Sequence, residues 1–388
     1  MLKLLQMKEI IKETLASLTD SGNLRSIPVD DGGSSRRIDL TSNDYLGISS
    51  RDDLAEEFFA SFVPSGGAMS ASASRLLARR QRAFSDFEAD LSDVYGGRSA
   101  LIFNSGYHAN TGLVSALSLK GTIVIADKLV HASIIDGIRL GGAPFERFRH
   151  NDIGHLSRLA RKAVENGMKP LIVAESVYSM DGDRADIEGL AEVRRACPGA
   201  MLYIDEAHAV GVEGDAGRGL CFSSKAYRDV DIVVGTLGKA LGSAGAFAIM
   251  DDDVRRFAVN KARSFIFSTA LPPLNIEWSR YVFGKALGMD SERVHLRMLS
   301  ARLAEILSHY GASGEASHIQ PYITGDPKKA VALSRAFADE GIDVLPIRTP
   351  TVPPGTDRLR LSLSAALTTD DIERFGEACD KILNSDRK

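Results

Sequence analysis

Short apolar runs recur along the first two thirds of the chain, and helical stretches separate them. The runs occupy residues 100–103, 122–126, 171–174, 201–204, 232–234 and 246–249. Runs that are apolar on both faces and alternate with helices are typical of parallel strands with helices on both sides of the sheet. The pattern therefore predicts an α/β fold built on a mainly parallel sheet.

The pattern changes after Pro272 and Pro273, where long helical stretches precede a region punctuated by Gly and Pro. Short strands are predicted there around Ile319, at 344–345 and at 359–363. We interpret this part as a smaller α+β domain. The predicted domains are an N-terminal helix and extension that packs with the small domain (1–43), a large domain (44–275) and the C-terminal small domain (276–388).

The first 18 residues predict an amphipathic helix packed on the body of the protein. Its apolar residues at helical spacing are Leu4, Met7, Ile11, Leu15 and Leu18. The Lys and Glu residues between them preclude the apolar core of a signal peptide, and the sequence has no apolar run long enough to span a bilayer. We therefore expect a cytoplasmic protein with no membrane association.

Composition and charge narrow the function further. Of the 388 residues 44% are hydrophobic and 25% are charged, and the net charge is −4. Binding to nucleic acids or membrane surfaces usually needs a basic excess, so neither is expected as the main activity. Cys197, Cys221 and Cys379 are widely spaced and odd in number, which predicts neither a metal site nor a disulfide framework and suits a reducing cytoplasm.

Polar residues follow several of the apolar runs directly, at 104–107, 175–179, 205–208 and 236–239. In a parallel sheet the ligand lies beyond the carboxyl ends of the strands. We therefore expect these four loops to converge on one edge of the sheet.

Two of these loops carry a specific chemistry in combination. Lys239 lies in a glycine-rich segment after one run, and Asp205 and His208 follow an earlier run. A cofactor with an aldehyde on a pyridine ring needs a lysine for a Schiff base, a carboxylate for the ring nitrogen and an imidazole for the phenolic oxygen. The two motifs together predict pyridoxal phosphate (PLP).

Two other function classes remain to be weighed. The string Asp205-Glu-Ala-His208 also resembles the acidic motif of DEAH-type ATPases, but that function requires an upstream Gly-x-x-x-x-Gly-Lys-Ser/Thr loop, which the sequence lacks. A scaffold that binds no cofactor is the other alternative. Either alternative predicts a colourless protein that does not react with borohydride.

Ordered strings along most of the chain resemble the α-oxoamine synthases. These are fold-type I PLP enzymes that join an amino acid to an acyl thioester and release CO₂. The matching strings are residues 42–47, 104–107, 126–133, 150–152, 179–183, 205–208, 236–239, 267–270 and 347–366. The resemblance implies a large domain with a seven-stranded, mainly parallel sheet, a smaller α+β domain, and acyltransferase activity.

The resemblance also implies roles around the cofactor ring. Lys239 is expected to carry PLP as a Schiff base and to take the Cα proton of the substrate. Asp205 is expected at the ring nitrogen, His208 at the phenolic oxygen and His131 stacked on the ring face. Ser179 is expected to contact the ring oxygen or the substrate.

The cofactor phosphate is expected at the start of a helix. Ser105, Gly106 and Tyr107 follow a strand, and backbone N–H groups at a helix N-terminus suit an anion that glycine lets approach closely. Thr236 is expected to add a hydroxyl. Ser268 and Thr269 match family positions that reach the phosphate of the neighbouring subunit, which implies a homodimer with shared active sites.

The resemblance assigns the substrate carboxylate to Arg360, assisted by Asn43, although Arg358 shares the same face of the predicted strand. Arg25 is expected at a distal carboxylate of the acyl chain, and Thr351 is expected to contact substrate. Residues 347–353 favour the biotin-synthesis branch, with L-alanine and a pimeloyl thioester as substrates. The alternatives are glycine C-acetyltransferase, 5-aminolevulinate synthase or serine palmitoyltransferase activity.

The chain departs from the family pattern in the segment 65–82. Relatives continue Gly66-Gly67 with Ser-Gly and a nearby histidine, whereas here Phe84 stands about where that histidine would be. Because this segment lies near the thioester entrance in relatives, the choice between coenzyme A and acyl carrier protein, and the acyl chain itself, stay open.

Overall fold

A computed structural model describes residues 2–27, 36–63, 68–79 and 81–384, with side chains from Met7 onward. Gly66, Gly67 and Arg80 of the atypical segment lie outside the described residues.

The helices are α1 (Leu2–Asp20), α2 (Asp52–Ser61), α3 (Arg82–Val94), α4 (Gly106–Leu117), α5 (Ala132–Gly141), α6 (Ile153–Glu165), α7 (Ile187–Ala196), α8 (Leu220–Ser223), α9 (Asp252–Lys261), α10 (Arg263–Ile266), α11 (Pro273–Ala286), α12 (Asp290–Ser308), α13 (Pro327–Asp339) and α14 (Thr369–Leu383). The strands are β1 (Ile38–Leu40), β2 (Ser99–Phe103), β3 (Thr122–Asp127), β4 (Phe145–Phe148), β5 (Lys169–Glu175), β6 (Met201–Asp205), β7 (Ile232–Thr236), β8 (Ala246–Met250), β9 (Ile319–Ile323), β10 (Ile342–Ile347) and β11 (Arg358–Ser362).

The described chain divides into two compact units. The smaller comprises Met1–Asn43, Met180–Gly182 and Leu296–Lys388, and the larger comprises Asp44–Ser179 and Asp183–His295. The predicted boundary after residue 275 stays a prediction, but the larger unit extends to His295. It does so because α11 packs against α2 and α3.

The larger unit is built on a seven-stranded sheet with the order β2-β8-β7-β6-β5-β3-β4. Only β8 runs against its neighbours, so the predicted α/β fold with a mainly parallel sheet is confirmed. Each of the six predicted strands is present. The pattern did not predict β4, an edge strand in which only Phe148 is buried.

Apolar side chains from the sheet, α4 and α5 form a core in which Leu113, Val124, Ile134 and Val173 are at most 1% exposed. Burying each such side chain contributes roughly 1.5–3 kcal/mol before the entropy cost of folding is counted. Several of the helices begin with a side-chain cap. Asp152 caps α6, Asp186 caps α7 and Thr368 caps α14, each by accepting a backbone N–H.

The smaller unit contains a four-stranded sheet with the order β1-β10-β11-β9. The three short strands predicted for the C-terminal part are all present, and the N-terminal segment adds β1, which pairs in parallel with β10. The predicted N-terminal helix is present as α1. Its apolar residues are nevertheless exposed, by 47–59% for Met7, Ile10, Ile11 and Leu15, so the described residues do not bury this face and the expected packing on the body of the protein is not seen.

Candidate active site

The carboxyl ends of the central strands bring the predicted cofactor residues together. Asp205 ends β6, and its register partner Glu175 ends the neighbouring parallel strand β5. Lys239 lies just past β7, in the connection that leads to the antiparallel strand β8. A strand-to-strand connection therefore carries the lysine, and the glycines around it serve this turn.

Lys239 Nζ lies 2.7 Å from His208 Nε2, and the other ring nitrogen of His208 lies 2.6 Å from the hydroxyl of Tyr45. Tyr45 is fully buried and His208 is 5% exposed. The sequence did not identify Tyr45 as a site residue, although it stands in the string 42–47 that carried part of the family resemblance.

The Asp205 carboxylate is held on both oxygens. Oδ1 accepts the backbone N–H of Ala207 at 2.9 Å, and Oδ2 accepts the side-chain amide of Asn110 at 2.7 Å. Both Asp205 and Asn110 are nearly inaccessible to solvent, at 4% and 2% exposed. A buried carboxylate with fixed orientation suits a protonated ring nitrogen, which needs a permanent negative partner.

Glu175 is a second buried carboxyl group beside Asp205. Its Oε2 accepts the backbone N–H of Ser179 at 3.3 Å, whereas its Oε1 is buried and has no hydrogen-bond partner among the described residues. Burial, and then the charge of Asp205, raise the pKa of Glu175 well above its ordinary value. Burial therefore favours the protonated form of Glu175, and no motif in the sequence pointed to this residue.

No chemistry was predicted for Glu206, and its contacts are structural. Its Oε1 accepts the N–H groups of Leu220 at 2.8 Å and Cys221 at 3.1 Å, at the start of α8. Burial raises the pKa of Glu206 to about 7 despite these hydrogen bonds, which oppose the shift.

The start of α4 has features that suit an anion. Ser105 caps the helix by accepting the N–H of His108 at 3.2 Å. A Cβ added to Gly106 would meet no atom within 4 Å, so open space lies in front of the first helical turn. The N–H groups of that turn have no intrahelical acceptors, and the helix dipole favours a negative ligand there. Tyr107 is half-exposed and donates its hydroxyl to Asp136.

The remaining predicted phosphate residues are placed differently. Thr236 Oγ1 donates to the carbonyl of Gly245 at 3.2 Å and accepts the N–H of Gly238 at 3.3 Å, so it holds the connection that carries Lys239. The carbonyl of Thr269 accepts the amide of Asn104 at 2.6 Å, which places residues 268–269 beside the end of β2. Their role at a neighbouring subunit stays a prediction.

The smaller unit holds the predicted substrate residues. Arg358 forms an ion pair with Asp181, and its Nε donates to the carbonyl of Thr356. Arg360 donates to Ser362 Oγ at 2.5 Å and to Asn43 Oδ1 at 3.1 Å, both neutral acceptors.

Arg25 also belongs to the smaller unit, and it lies against another predicted substrate residue. Its guanidinium donates to Thr351 Oγ1 at 2.7 Å, and both residues are exposed. The structure thus brings these two predicted residues together.

Arg75 helps to anchor the described part of the atypical segment. Arg75 donates to both oxygens of the buried Glu88, at 2.9 and 3.3 Å, and its guanidinium lies 4.1 Å from the ring centre of Phe84. Phe84 is 2% exposed. Phe84, which stands about where the family resemblance expects a histidine, therefore packs against the guanidinium of Arg75. It is a packing residue.

These groups fit PLP. An amine, a fixed carboxylate, an imidazole and an open helix N-terminus surround the ends of the central strands, and Glu175 adds an unpartnered buried oxygen. The described part of the chain contains no group of three His, Cys, Asp or Glu residues arranged to hold a metal ion. Nor does any described helix have the length and apolar character needed to cross a membrane.

Comparison with known proteins agrees with this geometry. The family model described as aminotransferase class I and II matches residues 35–379. The chain belongs to the aminotransferase class I and II family. It is 43% identical over 378 residues to the 8-amino-7-oxononanoate synthase of Chlorobaculum parvum, an alignment that covers 96% of this chain and 95% of that protein.

Two solved structures are similar to this chain. Serine palmitoyltransferase from S. paucimobilis, solved with a bound PLP–myriocin aldimine, superposes with a TM-score of 0.87 at 28% identity, covering 98% of this chain and 99% of that one. The 8-amino-7-oxononanoate synthase of Francisella tularensis gives a TM-score of 0.74 at 28% identity, covering 91% and 99%. The expected fold type, PLP dependence and acyltransferase class are thereby confirmed.

Proposed function

We propose that the protein condenses L-alanine with a pimeloyl thioester to give 8-amino-7-oxononanoate, CO₂ and the free thiol, a step of biotin biosynthesis. The observation that carries this proposal is the Lys239–His208–Tyr45 chain beside the fixed carboxylate of Asp205. The name of the Chlorobaculum parvum relative, at 43% identity, supports the choice of substrates. The three free, buried cysteines support a cytoplasmic location.

When bound, PLP supplies an electron sink for the substrate carbanion. Asp205 would hold the ring nitrogen protonated, His131 would cover the ring face, and His208 would face the phenolic oxygen. Lys239 would hold the cofactor and then move the substrate Cα proton at Nζ. The 2.7 Å separation between Nζ and His208 Nε2 gives that amine a neighbour with which it can share a proton.

We assign the substrate carboxylate to Arg360, with Asn43 holding the guanidinium in place. Arg358 is less suited because its guanidinium is already paired with the carboxylate of Asp181. A planar guanidinium binds a carboxylate through two parallel hydrogen bonds and so fixes the orientation of the Cα–H bond. Arg25, held by Thr351, would meet the distal carboxylate of the pimeloyl chain.

For the phosphate we propose the first turn of α4, from Ser105 to Tyr107. The hydroxyl of Thr236 would contribute only if it gave up its bond to Gly245. Ser268 and Thr269 would contact the phosphate of the second subunit in a homodimer. The main contribution is thus the helix N-terminus and the open space at Gly106.

The test begins with the purified holoenzyme. Borohydride should fix the cofactor on Lys239, seen as a mass increase of the peptide that contains it. Lys239→Ala should abolish the adduct, whereas the matched control Lys261→Ala, on the surface helix α9, should retain it. A protein that is colourless after incubation with PLP, or an adduct that survives in Lys239→Ala, would rule out this site.

Substrate choice is tested by offering each amino acid with each thioester. Alanine with pimeloyl thioester should change the visible absorbance of the bound cofactor and release CO₂. Pimeloyl-coenzyme A and pimeloyl-acyl carrier protein should be compared at equal concentration to identify the carrier. A response to glycine with acetyl-coenzyme A, and none to alanine with pimeloyl thioester, would contradict the assignment.

Serine palmitoyltransferase activity is the second candidate. It is favoured by the TM-score of 0.87 to the S. paucimobilis enzyme, against 0.74 for the Francisella tularensis synthase. Serine with palmitoyl-coenzyme A is therefore the most informative rival pair, and release of CO₂ from that pair alone would select this candidate.

A further inference from the structure

A buried hydrogen-bond network joins Asp205 to His131 through Asn110. The amide nitrogen of Asn110 donates to Asp205 Oδ2 at 2.7 Å and to Ser133 Oγ at 2.9 Å. The Ser133 hydroxyl lies 2.7 Å from His131 Nδ1. On the other side, the hydroxyl of Tyr203 donates to Asn110 Oδ1 at 2.6 Å.

The direction of every bond in this network follows from the chemistry of its ends. A carboxylate accepts only, so the amide group facing Asp205 must be the nitrogen of Asn110. The amide oxygen then faces Tyr203, whose hydroxyl donates to it. Ser133 Oγ accepts from Asn110 and donates its own proton to His131 Nδ1, because that nitrogen also faces the backbone N–H of Ser133 and so carries no proton.

His131 Nδ1 is therefore an acceptor. The backbone N–H of Ser133 also points to this nitrogen, at 3.3 Å, and an N–H group cannot donate to a nitrogen that carries a proton. The remaining proton of the ring is on Nε2. Partial burial, and then the charge of Lys239, lower the pKa of His131 although Asp205 opposes the shift, in agreement with a neutral ring.

The packing of two helices maintains the network. Asn110 lies on α4 and Ser133 in the first turn of α5, and Gly137 on α5 sits directly against α4. A Cβ at Gly137 would lie 3.0 Å from the carbonyl oxygen of Asn110, so glycine allows this approach without a shift of α4. Asn110, Ser133 and Tyr203 are at most 2% exposed, so water does not compete for these bonds.

We propose that Asn110 is a positioning residue that couples the two sides of the cofactor ring site. One amide hydrogen orients the Asp205 carboxylate, and the other holds Ser133 so that His131 keeps its proton on Nε2. The inference rests on the proposed roles of Asp205 and His131 at the ring, but not on the choice of amino acid or thioester.

The first experiment replaces Asn110 with alanine and measures PLP binding. The loss of a hydrogen bond to a buried charged group should weaken PLP affinity roughly tenfold or more. The pH midpoint of the visible absorbance of bound cofactor should also shift, because the Asp205 carboxylate is no longer held in one orientation. Asn260→Ala, at a surface asparagine of α9, is the matched control and should change neither.

The second experiment separates the two arms of the network by ¹⁵N NMR of labelled histidine, with His131→Gln for assignment. Ser133→Ala breaks only the His131 arm, so it should move the His131 nitrogen signals and leave the pH midpoint of the cofactor unchanged. Tyr203→Phe removes the hydroxyl that orients the amide, and it should change both readouts in the direction of Asn110→Ala.

Wild-type His131 signals in Ser133→Ala and in Tyr203→Phe would overturn the proposal, even if Asn110→Ala failed to fold. Asp205→Asn distinguishes the two levels of the argument. If Asp205→Asn weakens PLP binding and a folded Asn110→Ala does not, the coupling is wrong while the site stands. If Asp205→Asn has no effect on PLP binding, the site assignment itself is wrong and the coupling falls with it.

Discussion

Two histidines of the larger unit, His131 and His150, are both held by side-chain hydrogen bonds near the ends of sheet strands, yet their charges differ. His131 faces the hydroxyl of Ser133, and its pKa is lowered. His150 lies between two carboxylates, with Nδ1 3.0 Å from Asp127 and Nε2 2.8 Å from Asp183. Burial opposes the charged form, but these two partners raise the pKa of His150 to about 10.

This difference in hydrogen-bond partners indicates which histidine is available for chemistry. Both nitrogens of His150 donate to carboxylates, so the ring is a charged clamp between the end of β3 and the bridge that pairs Val177 with Arg184. In His131 the chain holds only Nδ1 and leaves the proton on Nε2. Both histidines stand in strings that resemble the same family, so the strings do not distinguish their roles. Their hydrogen-bond partners do.

The largest expected effect is at the His131 network. Asp205→Asn keeps the shape of the side chain but removes the negative charge proposed for the ring nitrogen. The rate of product formation should fall roughly a hundredfold to a thousandfold, as when a fixed electrostatic partner is removed from an active site. Steady-state kinetics with saturating PLP and a thermal unfolding curve would test this, and a fall of less than threefold would contradict it.

A smaller effect, on stability and not on chemistry, is expected at the clamp. His150→Ala leaves the fully buried Asp127 without its main charged partner and should lower the free energy of unfolding by roughly 3 kcal/mol. Denaturant unfolding would measure this. The PLP affinity of the folded variant should stay within about twofold of wild type, and a loss comparable to that of Asp205→Asn would erase the distinction between the two histidines.

The smallest expected effect is a pH dependence. The folded pKa of His150 is about 10 against an ordinary value of 6.5. Its stabilisation is therefore fully present below about pH 6.5 and is lost as the pH rises through about 10. Wild type should lose roughly 2 kcal/mol more than His150→Gln over this interval, less than the full pKa shift would imply because solvent screens the half-buried ring. Parallel unfolding curves at several pH values would check the sign, and equal slopes would contradict it.

The fold was largely predictable because its central strands are apolar on both faces, and the six predicted runs are all strands. The edge strand β4 was missed because Phe145 and Glu146 are not buried, so no apolar run marks it. The helix α1 was predicted from its period, but the exposure of Ile10 and Leu15 depends on what lies beside the helix. The helical spacing of apolar residues does not show what packs against the apolar face.

The site was predictable only where a residue type is itself diagnostic. Lys239, Asp205 and His208 could be named because PLP chemistry requires those groups after strands. Asn110 and Tyr45 could not, because their importance lies in hydrogen bonds to residues far away in the sequence. The same limit applies to Glu175, whose raised pKa results from complete burial beside Asp205.

The amino-acid sequence by itself determined the α/β class, the family and the cofactor, and it led to the proposal that Lys239 binds this cofactor, because apolar periodicity and short motifs are local properties. Only the tertiary structure decided the directions in which the pKa values of His131, His150 and Glu175 are shifted. Those shifts depend on desolvation and on partners brought within 3 Å by packing, as when Gly137 lets α5 approach Asn110. The pKa of His131 is lowered and that of His150 is raised for that reason, although both are the same residue.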